Sequence, residues 1–196
     1  MVNYRDLQRL DIRNIDDYRS RRFCVIDFET NGRMGEQLEV IEFAAVKVVD
    51  GRLDTHVSSL CAASGPLDPF ITRLTGIRDR QLIGKPRFEQ FIEPLISYIG
   101  QDIIVAHNAP FDVPILLQYC RTAGIDYRPD VLCTLTSSRR LFPDLPSHKL
   151  AYLGEAFSLY DGRAHRALAD TLATARLMLV MFEYLASEGA ISGGRQ

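Results

Sequence analysis

The apolar, β-branched run from Leu38 to Val49 ends on Asp50-Gly51 and resumes as Leu53–Leu60. This pairing constrains the fold more than any other feature of the chain. Asp-Gly accepts the positive φ that a tight hairpin turn demands, so the two runs predict an antiparallel hairpin. An apolar strand at about 22–29, Phe23-Cys24-Val25-Ile26 closing on Asp27-Phe28-Glu29, precedes them and makes the start of the sheet a meander. Asp68-Pro69 opens a helix over 69–75, broken at Gly76, and Pro86 opens another at about 87–99 with Phe88, Phe91, Ile92, Leu95, Ile96 and Ile99 along one side. After that the pattern changes. Ile103-Ile104-Val105-Ala106 is a short buried strand, followed by a helix over 110–123, a strand near 130–134 and helices at about 135–141, 148–157 and 165–187. Hairpins first and β-α-β alternation later predict an α/β fold: a mixed sheet with helices packed on it.

A chain of 196 residues with 46% apolar content is long enough for one sizeable core. Residues 21–190 read as that domain, 1–20 as a polar extension with irregularly spaced apolar residues, and 191–196 as a loose tail. No apolar stretch approaches the ~18–20 residues of a membrane helix. Met1-Val2-Asn3-Tyr4-Arg5-Asp6 runs into charge rather than into a secretory segment. Cys24, Cys61, Cys120 and Cys133 lack C-x-x-C spacing and read as reduced, mostly buried thiols of an intracellular, cytoplasmic protein. The histidines and cysteines never cluster with ligand spacing, which argues against a zinc hydrolase. A net charge of -2 excludes a generally basic nucleic-acid binder. Any such contact must be local, through patches and through metal-mediated phosphate binding.

Acids at the ends of elements carry the functional signal. Strand side chains alternate, so Asp27 and Glu29 share one face while Phe28 turns into the core. The two carboxylates repel, and only Arg33 is near in sequence to neutralise them; a hard divalent cation between them resolves the conflict. Pro110 pre-sets a helix whose first turn holds Asp112, with Asn108 as the cap, at the end of the sheet where ligands of α/β folds gather. An acid there also complements the helix dipole, worth about 0.3–1 kcal/mol. Asp170 lies among Leu168, Leu172, Ala173 and Ala175 on the last helix, a costly place for an acid that is neither paired nor metal-bound. His165, five residues earlier, can share that site only if it precedes the helix.

In this order, Asp27-x-Glu29, His107-Asn108-Ala109-Pro110-Phe111-Asp112 and His165-Arg166-Ala167-Leu168-x-Asp170 resemble the three motifs of the DEDDh 3′-5′ exonucleases. That superfamily includes proofreading subunits of bacterial replicative polymerases, ribonuclease T and oligoribonuclease. The resemblance covers roughly residues 22–185, and Leu74-Thr75-Gly76-Ile77 and Leu141-Phe142-Pro143-x-Leu145-Pro146-Ser147-His148-Lys149-Leu150 fit it too. Thr75, where a histidine is common, and Cys133, where an aspartate is frequent, depart from it.

The resemblance implies a ribonuclease H-like domain that releases nucleoside 5′-monophosphates. Asp27, Glu29, Asp112 and Asp170 would hold two Mg²⁺ or Mn²⁺ ions about 3.5–4 Å apart. His165 would be the general base, suited by its ~6.5 reference pKa. Unperturbed carboxylates titrate near pH 4, well below it. The backbone at Thr30, Asn31 and Gly32 would meet the terminal 3′-hydroxyl, Thr75 the last nucleotide, and Phe111 or Phe28 a base, although both rings also suit the core. A DNA 3′ end is favoured over RNA because Asp27-Phe28-Glu29-Thr30-Asn31-Gly32 looks most like the proofreading branch, which also allows a DNA polymerase as partner. An RNA-trimming enzyme and a non-catalytic polymerase accessory are the alternatives, in a monomer or homodimer without a membrane. The short C-terminus lacks the long tail by which proofreading subunits attach to a polymerase. Glu42 reads as structural support, His56 as exposed, and His148 as fixing a helix start. Arg139-Arg140 and Arg163-Arg166 suit either substrate guidance or solvated faces.

Overall fold

In the computed structural model, which describes residues 2–32, 38–161 and 166–193 (without the side chains of 189–193), the strands form one mixed sheet. Its order is β1 (Arg9–Leu10), β6 (Val131–Cys133), β5 (Ile103–Ala106), β2 (Phe23–Thr30), β3 (Val40–Val49) and β4 (Arg52–Leu60). The β2-β3-β4 meander is antiparallel, while β5 joins β2, and β6 joins β5, in parallel. The β3–β4 turn has positive φ at both Asp50 (52°) and Gly51 (69°), as the hairpin reading requires.

The helices are α1 (Pro69–Thr75), α2 (Asp79–Leu82), α3 (Ile92–Ile99), α4 (Ala109–Thr122), α5 (Thr134–Leu141), α6 (Leu150–Ala156) and α7 (Ala167–Gly193). Asp68 caps α1 by accepting from the Phe70 N–H at 2.6 Å, and Gly76 ends it at a φ of 75°. Strand parity then sorts the core. Cys24, Ile26 and Phe28 of β2 pack with Phe88, Ile92 and Leu116 on one side of the sheet. Phe23 and Val25 pack with Leu177, Met178 and Phe182 of α7 on the other. Asp27 and Glu29 continue the second series, so the fold itself aims them at α7.

Three expectations are corrected in extent. The helix expected over 87–99 is a 3-10 turn, Phe88–Phe91, and then α3. Pro94 explains the break: a continuous helix would need its missing N–H in the interior, whereas a start at Ile92 leaves Pro94 in the first turn. The last helix begins at Ala167 rather than 165 and continues to Gly193, past the start of the expected tail; residues 194–196 lie outside the described ones. Within 1–20, Arg9–Leu10 pairs in parallel with β6, and Leu7, Ile12 and Tyr18 are buried, with Tyr18 stacked on Phe182 at 4.5 Å. None of the described helices is long and apolar enough to cross a membrane.

The cysteines are free, and Cys24, Cys61 and Cys120 are buried while Cys133 is half-buried. Burial pushes the Cys24 and Cys61 thiols up to about 12 and Cys120 up to about 11. A thiol-specific reagent at pH 8 should therefore label Cys133 first and the other three only in denaturant. Fast native labelling of Cys24 would contradict this packing.

Candidate active site

The site is built from the end of β2, the first turn of α4 and the first turns of α7. Asp27, Glu29 and Asp170 each offer a ligand oxygen, and these oxygens lie within 4.8 Å of one another. Asp112 joins from α4: its Oδ1 accepts the backbone N–H of Phe28, the residue between Asp27 and Glu29, at 3.2 Å. That bond locks α4 to β2 at the site. Asp112 and Asp170 are buried and the other two acids are half-buried.

Burial, followed by the charges of Asp112, Glu29, Asp170 and Glu42, holds the Asp27 carboxyl well above the usual carboxylate range. Burial and then Asp170 and Glu42 push Glu29 up to about 7, with Arg166 opposing. Burial pushes Asp112 up to about 8 despite the stabilising Phe28 N–H. Asp27, Glu29 and Asp112 are thus held above the value near 4 of unperturbed carboxylates. They form a carboxylate cluster that repels itself, and hard oxygen donors so placed fit a divalent cation. Arg166, the cation that bears on Glu29, is committed elsewhere.

Its partner is Glu42, the residue opposite Glu29 on β3. Arg166 donates to Glu42 Oε1 through Nε (3.1 Å) and Nη2 (2.6 Å), and through Nε to Oε2 at 3.0 Å; the Ala167 N–H donates to Oε2, also at 3.0 Å. Glu42 therefore caps α7 and fixes the helix that carries Asp170. Arg166, for which the sequence allows substrate guidance or a solvated face, is instead held in an ion pair at the start of α7. Arg166→Met should cost about 1–3 kcal/mol in urea unfolding by leaving the buried Glu42 charge underpaired. A second partner carries no signal in the sequence: the Tyr160 hydroxyl donates to Asp170 Oδ1 at 2.6 Å. Burial and then Asp170 raise that hydroxyl far above its ordinary value, which keeps it a donor. Tyr160 lies in a loop with no motif, so only its distance from Asp170 reveals it.

Thr30 is buried and its hydroxyl donates to the Gly32 carbonyl at 2.9 Å. The Asn31 side chain exchanges bonds with Glu39, closing the base of this loop. Arg33, Arg163 and His165 lie outside the described residues. Thr75 is not brought to the surface: at 1% exposure its hydroxyl donates to the Ile71 carbonyl and accepts from the Ile77 N–H, shaping the turn at Gly76. Phe28 is core, packed on Phe88 at 5.4 Å, and Phe111 is half-buried against the same cluster. Asn108 precedes α4 with a φ of 75° but makes no side-chain cap. Arg140 pairs with Asp11 at 2.8 Å. Burial lowers His107 to about 4. The neutral ring donates from Nε2 to the His148 carbonyl (2.9 Å) and accepts at Nδ1 from Thr134 (3.0 Å), tying β5 to α5. His148 itself bonds Ser138 at 3.1 Å just before α6, and His56 is exposed.

A sequence profile of the exonuclease family matches residues 24–178. The DNA polymerase III subunit epsilon of Aquifex aeolicus is 33% identical over 164 residues, covering 83% of this chain and 81% of that protein. The PolC-type DNA polymerase III of Caldanaerobacter subterraneus subsp. tengcongensis is 34% identical over 167 residues, 85% of this chain but 12% of that polymerase. Among solved structures, exonuclease X in complex with 5′ overhanging duplex DNA superposes with a TM-score of 0.63 at 28% identity, covering 85% of this chain and 93% of that one.

Proposed function

The chain belongs to the exonuclease family of 3′-5′ exonucleases, and from that premise we propose that Asp27, Glu29, Asp112 and Asp170 are its catalytic acids, that they hold Mg²⁺ or Mn²⁺, and that a DNA 3′ end is its substrate. The observation that carries this reading is the convergence of ligand oxygens of Asp27, Glu29 and Asp170 within 4.8 Å of one another at the end of β2 and the start of α7. When bound, divalent cations supply Lewis acidity and cancel the repulsion between these acids and a phosphodiester.

The chain's own residues do the rest. Asp112, pinned on the Phe28 N–H, sets the distance between α4 and β2. Glu42 and Arg166 hold the start of α7 against β3, so Asp170 faces Asp27 and Glu29. His165, from its place in the third motif, takes the proton of the attacking water, and the 3′ oxygen of the penultimate nucleotide leaves. The Thr30–Gly32 backbone receives the terminal nucleotide. DNA is favoured by the kinship with the epsilon subunit and with exonuclease X. A polymerase as partner is part of the same proposal, and free thiols suit a reducing, cytoplasmic setting.

The test is digestion of matched 5′-labelled linear single-stranded DNA, the same strand closed into a circle, and linear RNA, with Mg²⁺ or with chelator. Linear DNA should shorten from its 3′ end to nucleoside 5′-monophosphates, fastest of the three and only with metal. Cutting of the circle at a comparable rate, or digestion in chelator, would overturn the reading.

A further inference from the structure

The turn after α6 is built against Asp170. Ser158 takes a φ of 54°, and the Leu159 N–H returns to the Gly154 carbonyl at 2.8 Å. Arg176 of α7 donates to the Leu159 carbonyl at 2.6 Å and pairs with Asp161. The residue between, Tyr160, is thus held from both sides, with its hydroxyl on Asp170 Oδ1 at 2.6 Å. Its ring lies so close over Gly154 that a Cβ there would overlap it. Gly154 is buried in the middle of α6, where glycine costs about 1 kcal/mol relative to alanine. No φ in the left-handed region requires glycine at this position. The space for the ring does.

We propose that Tyr160 is a positioning residue of the acidic centre, holding one oxygen of the Asp170 carboxylate so that the other is presented to a divalent cation, and that Gly154 is glycine to seat the Tyr160 ring. A carboxylate has about four acceptor sites on its two oxygens, so one hydrogen bond fixes its orientation without using up its capacity as a ligand. Ligating carboxylates are commonly held by such partners, whose removal weakens metal binding about 10–100-fold. The inference rests on reading the acids as a metal centre, and the experiment separates the two.

Mn²⁺ is titrated calorimetrically, without nucleic acid, into the wild type, Tyr160→Phe, Gly154→Ala, their double variant and Asp170→Asn. Tyr160→Phe should bind Mn²⁺ about 10–100-fold more weakly while still unfolding cooperatively in chelator. Its DNA digestion should return to the wild-type rate once Mn²⁺ saturates. Gly154→Ala should show a similar weakening, and the double variant should be no weaker than Tyr160→Phe. Wild-type Mn²⁺ affinity in Tyr160→Phe overturns the role of Tyr160 while leaving the metal centre intact. Additive losses in the double variant overturn the link to Gly154. A wild type that binds no Mn²⁺, or an Asp170→Asn variant that binds it undiminished, overturns the metal centre itself. Tyr160→Phe keeps the ring in place, so its result stands whether or not Gly154→Ala folds.

Discussion

Asp27→Asn is expected to lower turnover by about 10⁴-fold or more, the scale for removing one member of a catalytic unit, and to make the metal-free protein more stable. Both effects have one cause. Asp112, Glu29, Asp170 and Glu42 all raise the pKa of Asp27 beyond what burial does. A neutral amide of the same shape removes those repulsions together with a candidate ligand. Stability should carry the signature in its pH dependence. Glu29 at about 7 and Asp112 at about 8 hold protons in the folded, metal-free protein that the unfolded chain releases near pH 4. Their contribution is fully present below about pH 4 and is lost as pH rises through about 7–8, because the native state binds more protons there. Urea midpoints in chelator should therefore fall between pH 5 and pH 8.5 in the wild type and fall less in Asp27→Asn. Saturating Mg²⁺ should restore the wild type by binding the folded state alone. Asp27→Asn combined with Asp170→Asn should be little worse in turnover than either alone. A variant with near-wild-type turnover, or one less stable at pH 8.5 in chelator, would mean that the acids do not work as one repelling set.

The parts legible in the sequence were those set by local rules. Asp50-Gly51 suits a tight hairpin turn, and the alternation of β2 alone separates Phe28 from Asp27 and Glu29. The order of the three acidic motifs was enough to name the family. What stayed hidden depends on partners far away in sequence. β1 is two residues long and exists because β6 offers it an edge. Glu42 looked like an acid in a strand until Arg166 and Ala167 arrived from the other end of the chain. Thr75 sat where a substrate contact was expected, but its hydroxyl is used inside the α1 turn. The raised carboxylates follow from burial and crowding, neither of which a motif records.

His165→Ala should lower the rate about 10²–10⁴-fold, the usual scale for a positioned base, and should erase one limb of the pH profile. As a base the imidazole must be neutral, so wild-type activity rises with pH through its pKa, ~6.5 when unperturbed. The raised carboxylates complicate this rise. With Glu29 at about 7 and Asp112 at about 8, metal uptake releases protons over the same range, so it too produces an acid limb near neutrality. Metal concentration separates the two. A limb owned by the carboxylates moves to lower pH as Mg²⁺ is raised, because the cation competes with the protons. A limb owned by the histidine stays where it is once the metal is saturating. Wild type and variant should therefore share the movable limb at low Mg²⁺, and only the wild type should keep a fixed one at high Mg²⁺. If His165→Ala keeps the wild-type rate and the same fixed limb at saturating Mg²⁺, the histidine is not the base. The proton then leaves by another route, with the four acids still in place.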